Sequence, residues 1–404
     1  MFLLLLAALS QAALSRPATT APAAAQTTPH RLLLERVVMV MRHGVRAPID
    51  GEVPADTHTG APWPHWPVAA EQMTPHGLAA LELRGADDRA WLDRSGLFTP
   101  GRCPAPTTVR IHSNVSQRTI DSANAFARGF APGCGRTVDH QAAGTVDPLF
   151  EPLRDRNARF DAAAAMASID LHTGGMDALT RRHRAELDAL DRVLDCPQRV
   201  ACTPRDAASV RASADGRSIV LTGPIRRASG IAQVLLLQYV QGMPAAQVGW
   251  GRVDAAAFKR LGALHAALFD VFTRAPYMAA KQAGPLARAM LAALEAHGDR
   301  RLDLFVGHDT NVTALAAALR VDLSSPDYAT GDVPPDGALV LTLLRDPATG
   351  ARFVRTSYRV QPIMALRYLQ SGIDDVVLRV PGCSATCPLD RFATLLMMRT
   401  AAAG

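Results

Sequence analysis

The chain has 404 residues, 48% of them hydrophobic and 20% charged, which is enough for a large globular core and excludes a disordered or fibrous protein. Its formal charge of +6 arises from 43 basic and 37 acidic residues without a basic block or basic-aromatic patch, so nucleic acid is not an expected partner. Lys259 and Lys281 are the only lysines, so arginine is abundant everywhere and only its positions are informative.

Phe2 to Leu14 is apolar but shorter than a membrane span, and Ala23-Ala24-Ala25 before Gln26 has the small-residue pattern of a cleavage site. Residues 1–25 are therefore expected to be a signal peptide, despite a start that lacks Lys or Arg, and the mature chain to be periplasmic or secreted. An uncleaved anchor is the competing reading. No later run is long and apolar enough to cross a bilayer, so no stable membrane insertion is expected. Loss of Arg16 with the peptide leaves a charge of +5, which favours anionic ligands. An Ala/Pro/Thr tail follows over residues 17–29.

Val37-Val38-Met39-Val40-Met41 reads as a buried strand that leads into Arg42-His43-Gly44-Val45-Arg46-Ala47-Pro48. Arg42 and Arg46 carry planar, permanent charges that bind phosphoryl oxygens bidentately, and flanking cations keep a histidine such as His43 unprotonated and nucleophilic. Gly44 allows close approach of the backbone and Pro48 stiffens the loop exit. The plain alternative is a pair of surface arginines and a strand-ending histidine.

Thr107 to His112 alternates as a strand, Ser113-Asn114 turns, and Ser116-Gln117-Arg118-Thr119 opens a helix to about Arg128. A cation in a first helical turn is opposed by the macrodipole by up to about 1 kcal/mol, a conflict that an anion in front of it removes. Farther on, the strand Asp303–Val306 meets the turn Gly307-His308-Asp309-Thr310-Asn311 and the helix Val312–Leu319. One of Asp309, Thr310 and Asn311 would suit an N-cap; equally, at a helix start that favours anions, His308 would donate to an oxyanion and Asp309 act as general acid. Three strand ends followed by turns and helices describe one site at the carboxyl edge of a sheet.

Between these segments lies an Ala-rich helical stretch, with candidates near 178–194, 225–240, 255–272 and 285–296, the second buried through Val234 to Leu237. Ala338–Leu344 and Arg352–Arg359 form a hairpin turned at Asp346 to Gly350. The fold class is α/β: a central mixed, mostly parallel sheet flanked by helices, with a mainly helical insert as a second, smaller domain. Its boundaries are residues 26–150 and 255–404 for the core and 151–254 for the insert, the two forming the substrate cleft between them.

Arg42 to Pro48, the Ser-Asn-x-x-Gln-Arg-Thr segment at Arg118 and the distal His308-Asp309 pair resemble the motifs of the histidine acid phosphatases, branch 2 of the histidine phosphatase superfamily. Gly144 to Phe150 and the stretch from Gln241 to Gly251 extend the resemblance over nearly the whole mature chain, toward the bacterial group of periplasmic phytases and glucose-1-phosphatases. It implies His43 as nucleophile, Asp309 as proton donor, and Arg42, Arg46, Arg118 and protonated His308 as phosphate ligands, with a phosphohistidine intermediate, an acidic optimum and a small phosphate ester as substrate. No metal or other cofactor is expected; zinc-type C-x-x-C and H-x-x-x-H spacings do not occur. Six cysteines in an exported chain imply disulfides. Cys196 with Cys202 and Cys383 with Cys387 are near enough to pair locally, leaving Cys103 with Cys134, and the resemblance implies the same bridges.

Within the group the signals divide. Arg42 to Pro48 is phytase-like, but Ile49-Asp50 stands where such phytases carry Thr-Lys, while Trp63-Pro-His-Trp66, Ser116 to Thr119 and Cys387 to Phe392 are closer to glucose-1-phosphatases. Gln241 replaces an acidic residue of the latter. Trp63 and Trp66 suit either the cleft or core packing. A phosphomutase of the same superfamily is opposed by the signal peptide and cysteines. A non-catalytic periplasmic phosphate-ester-binding protein would use the same arginines but needs no nucleophile and acid on separate loops.

Overall fold

Val37 to Met41 is apolar at every position rather than at alternate ones, the pattern of a strand covered on both faces, and all five residues are fully buried. In the computed structural model, which describes residues 32–196, 202 and 207–401, they form the middle of β1 (Leu33–Arg42). The expected signal peptide and its cleavage point lie outside the described residues. There follow α1 (Pro75–Arg94), β2 (Val109–Ser113), α2 (Gln117–Phe130), α3 (Ala162–Thr173), α4 (Met176–Arg182), α5 (Arg184–Leu194), β3 (Ser209–Ala212), β4 (Ile219–Thr222), α6 (Pro224–Val240), α7 (Ala255–Phe269) and α8 (Pro276–Glu295). The remainder comprises β5 (Leu302–Gly307), α9 (Asp309–Leu319), β6 (Ala338–Arg345), β7 (Arg352–Val360), α10 (Ile363–Tyr368), β8 (Asp374–Leu378), β9 (Cys387–Pro388) and α11 (Leu389–Thr400).

The main sheet has the order β2-β5-β1-β6-β7-β8, with β9 beside β7. It is mixed and flanked by helices, as expected, but not mostly parallel. Parallel pairing is confined to β2–β5 and β5–β1, whereas β6, β7, β8 and β9 all pair antiparallel. The short turn at Asp346 to Gly350 imposes this between β6 and β7, since parallel neighbours need a long crossover.

Side chains alternate across β1. Val37, Met39 and Met41 pack with Leu81 of α1 and Phe126 and Phe130 of α2, while Val38 and Val40 join the core built with α6, α7, α8, α9 and α11 on the other face. Residues 151–254 are mainly helical but include the hairpin β3–β4, which the Ala-rich composition concealed. Ile169, Leu190 and Leu221 from this stretch belong to the same hydrophobic core as Val38 and Val40. The helix expected from Pro285 begins earlier, at Pro276, a residue suited to a first helical turn, and runs through Pro285. No helix among the described residues is long and apolar enough to cross a membrane. The disulfides are Cys103–Cys134, Cys196–Cys202 and Cys383–Cys387, the expected pairs.

Helices α1 and α2 touch through glycine. A Cβ on Gly129 would lie 1.9 Å from the Glu82 carbonyl oxygen, and one on Gly85 would lie 2.3 Å from that of Phe126. In an exposed helix Gly→Ala stabilises by up to about 1 kcal/mol. Here Gly129→Ala forces two backbones apart and is expected to lower the unfolding free energy by about 1–3 kcal/mol in a urea titration. An unchanged or higher midpoint would show that the helices separate at no cost.

Candidate active site

The register of the three parallel strands pairs Ser113 with Val306 and Arg42 with Gly307, so their carboxyl ends lie at one level. His43 N–H donates to the Gly307 carbonyl and Asn114 N–H to that of Val306, each at 2.9 Å, which starts the three following loops side by side. The expected residues converge at that edge.

His43 is buried, and its Nδ1 lies 2.9 Å from the Gly44 carbonyl. A carbonyl only accepts, so Nδ1 carries the ring proton and Nε2 keeps its lone pair. Burial, then Arg46, Arg42 and Arg118, hold this imidazole well below its ordinary pKa. The His308 ring stands edge-on to it, with centroids 5.6 Å apart. Gly44 packs tightly: a Cβ there would come within 2.6 Å of Leu81 Cδ1, so that side chain would have to shift.

Each arginine is held by a partner distant in the sequence or hidden in a loop. Arg42 is fully buried; one Nη donates to the Val333 carbonyl and lies 3.4 Å from Gln233 Oε1, and the other is 3.1 Å from Asp309 Oδ2. Arg46 makes a bidentate pair with buried Glu52 at 2.8 and 3.1 Å. Arg118 pairs with the more exposed Glu71 at 2.8 Å. All three retain a buried Nε–H without an acceptor, at a cost of roughly 1–3 kcal/mol for each such donor that an anion would relieve.

Asp309 is the first residue of α9, not its cap; His308 occupies the cap position, and its N–H donates to Asn311 Oδ1 at 2.9 Å. Asp309 Oδ1 accepts from Thr310 N–H at 2.8 Å, which leaves Oδ2 toward Arg42. Burial by itself would raise this carboxyl, but Arg42, with His265, His308 and Arg46, holds it at about 2. His308 Nε2 lies 2.9 Å from Asn114 Nδ2, whose amide is fixed by Val115 N–H donating to Asn114 Oδ1. That nitrogen must accept, and burial together with Arg118 lowers His308 to about 3. The expectation of a protonated His308 is thus corrected: in the protein itself its ring is neutral.

The family model described as the histidine phosphatase superfamily (branch 2) matches residues 33–359. The chain belongs to this family. As a histidine acid phosphatase it is 33% identical over 397 residues to the phytase AppA of Escherichia coli, covering 91% of this chain and 90% of that one. It is also 32% identical to the glucose-1-phosphatase of Salmonella typhimurium, covering 94% and 95%. A Hafnia alvei phytase solved in complex with myo-inositol hexakis sulphate superposes with a TM-score of 0.83 at 31% identity, over 91% of this chain and 97% of that one. The protein is therefore a phosphomonoester hydrolase of the phytase and glucose-1-phosphatase group.

The loops bring together all six expected residues of this phosphatase: Arg42, His43, Arg46, Arg118, His308 and Asp309. Residues not anticipated from the sequence are Asn114 on His308, Gln233 on Arg42, Glu52 and Glu71 on two arginines, and His265, whose Nε2 is 3.9 Å from Asp309 Oδ2. Gln233 had a signal, a polar residue directly before the apolar run Val234 to Leu237; His265 and Glu71 had none. Gln241 Oε1 accepts from the Thr74 hydroxyl, the N-cap of α1. Trp63 and Trp66 line a groove of ≈ 300 Å³ with Ile49, Asp50 and Val68.

Proposed function

We propose that this acid phosphatase transfers the phosphoryl group of an ester to His43 Nε2 and then to water, without a metal. His43 attacks phosphorus in line with the departing oxygen while Asp309 protonates that oxygen; water then attacks the phosphohistidine, with Asp309 as base. Arg42, Arg46, Arg118 and His308 hold the non-bridging oxygens as charge redistributes. The observation that carries this reading is the His43 tautomer: a free Nε2 among guanidinium groups, with one carboxyl close by.

Asp309 is ionised in the protein itself because Arg42 is 3.1 Å away. An incoming phosphoryl group draws on the arginine charge, raises the carboxyl and lets it hold a proton in acid, which supports an acidic optimum.

Arg46 and Arg118 already face Glu52 and Glu71, and the groove that begins directly after Arg46 holds Asp50 and two tryptophans but no lysine or arginine. This suits an uncharged polyol leaving group better than a polyanion. The proposed substrates are sugar phosphates first, with phytate a slower one. Three disulfides support placement in the periplasm or outside the cell.

The test is trapping. Mature protein mixed with an ester labelled in its phosphate, in chelator at acidic pH, and quenched in alkali should retain acid-labile, base-stable label, and glucose 1-phosphate should turn over faster than phytate. Ester bound without label or turnover would favour the binding-protein reading, and loss of labelling in chelator would overturn the metal-free one.

A further inference from the structure

The mechanism leaves a question about where Asp309 obtains its proton, since Arg42 keeps the carboxyl ionised. The answer lies on α7. His265 is buried there, with Nδ1 2.8 Å from Asp332 Oδ1 and Nε2 3.9 Å from Asp309 Oδ2. Asp332 itself is fixed: it is 2% exposed, and the same Oδ1 accepts from Val333 N–H at 2.8 Å. The Val333 carbonyl in turn accepts from Arg42, so a single segment before β6 positions both groups that flank Asp309 Oδ2. The Phe269 ring closes another side of the imidazole, with centroids 4.7 Å apart.

We infer that His265, held by Asp332, is a positioning residue that stores the proton Asp309 delivers to the leaving group. The inference rests on the phosphatase reading above. Because Asp332 accepts the Nδ1 proton, Nε2 is the nitrogen left facing Asp309, and a proton crosses once Oδ2, released by Arg42, closes the 3.9 Å between them to hydrogen-bond length. When the ester draws Arg42 away, the Nε2 proton passes to Asp309 Oδ2, and from there to the ester oxygen as the phosphorus–oxygen bond breaks and the His43 Nε2–phosphorus bond forms. In the second half, Oδ2 takes a proton from the attacking water as its oxygen bonds to phosphorus and the phosphorus–nitrogen bond breaks. His265 then recovers it. No proton is gained or lost over the cycle. An alkoxide leaves an alkyl ester poorly unless it is protonated, whereas p-nitrophenolate leaves readily, so the relay matters most for alkyl esters.

The experiment compares wild type with His265→Asn, whose amide can replace the Nδ1 bond to Asp332 but cannot reach Asp309. The readout is kcat/KM, which reports the phosphoryl-transfer half-reaction, on p-nitrophenyl phosphate and on glycerol 2-phosphate from pH 3 to 7. General acid catalysis contributes roughly 10²–10⁴-fold, so the loss on glycerol 2-phosphate is expected to exceed that on p-nitrophenyl phosphate by about tenfold or more. The alkaline limb on the alkyl ester should also move to lower pH. Equal losses on both esters with an unmoved limb, the result of a merely structural role, would overturn the inference. If His265→Asn does not fold, Asp332→Asn keeps an acceptor for Nδ1 and removes the charge; a skew toward greater loss on the alkyl ester supports the relay, and equal loss removes it. Wild-type protein that turns over neither ester would instead refute the phosphatase reading.

Discussion

His43→Ala is expected to lower kcat/KM on p-nitrophenyl phosphate by about 10⁵-fold or more, the scale on which loss of a nucleophile collapses a covalent mechanism. Uncatalysed phosphomonoester hydrolysis is among the slowest reactions known, so the arginines alone cannot sustain turnover. The substitution should spare the fold, because the ring bond of His43 is to its own neighbour Gly44. Arg42, Arg46 and Arg118 would still bind inorganic phosphate, which calorimetry would show. Activity within tenfold of wild type would remove His43 as nucleophile.

The pH profile provides a second reading of the same residue. The attacking form is the unprotonated one, and burial with Arg46, Arg42 and Arg118 depresses this group well below 6.5. As pH falls through 6.5, His43 therefore stays competent, and kcat/KM should not decline there. An acid limb near the ordinary histidine value would mean that the cations do not act on it.

Sequence reading succeeded where chemistry is local and failed where it depends on the sheet. His43 shares one short segment with Arg42 and Arg46, Arg118 opens the helix after β2, and His308-Asp309 begins another, so a strand-turn-helix reading placed them at one edge. The partners that set their protonation are remote: Asn114 is 194 residues from His308, and His265 is 67 residues from Asp332. A single His in an alanine-rich helix gives no hint of two carboxylates beside it. Gly44 shows the converse case, a motif residue whose immediate constraint is the Leu81 side chain of α1.

The fold was legible to a similar depth. The all-apolar run of β1 and the hairpin of β6 and β7 followed from period and turn residues. The balance of parallel and antiparallel pairing did not, because hydrophobic pattern says which faces are buried but not which strand lies alongside. Arg84 and Asp88 of α1 are charged side chains, the type most often found at a surface, yet both are fully buried.

That burial yields the other large effect. Asp88 accepts from Arg84 Nε and Arg359 Nη2, each at 2.8 Å, and is 0% exposed. Asp88→Ala leaves buried Arg84 with the Asp336 carbonyl and a carboxylate 3.5 Å away, and Arg359 with the partly exposed Asp375 at 2.6 Å. Breaking a buried pair from one side costs about 3–5 kcal/mol, a large part of the roughly 5–15 kcal/mol by which a domain is stable. Burial would raise the Asp88 carboxyl, but Arg84 and Arg359 outweigh it and hold it below the usual 3.8. With the folded value depressed, its contribution is present above that pH and is lost as pH falls through the folded value. The gap between wild type and Asp88→Ala in urea unfolding should therefore be widest near neutrality and narrow in strong acid. The network also reaches the nucleophile: Arg84 donates to the Asp336 carbonyl at 3.0 Å, and Asp336 N–H donates to the His43 carbonyl at 3.2 Å. Asp88→Ala is thus expected to reduce kcat together with stability, whereas Asp88→Asn, which keeps an acceptor, should fall between. A loss of less than about 1 kcal/mol at neutral pH would place the pair among salt bridges of surface strength, and the support of His43 would have to come from the strands alone.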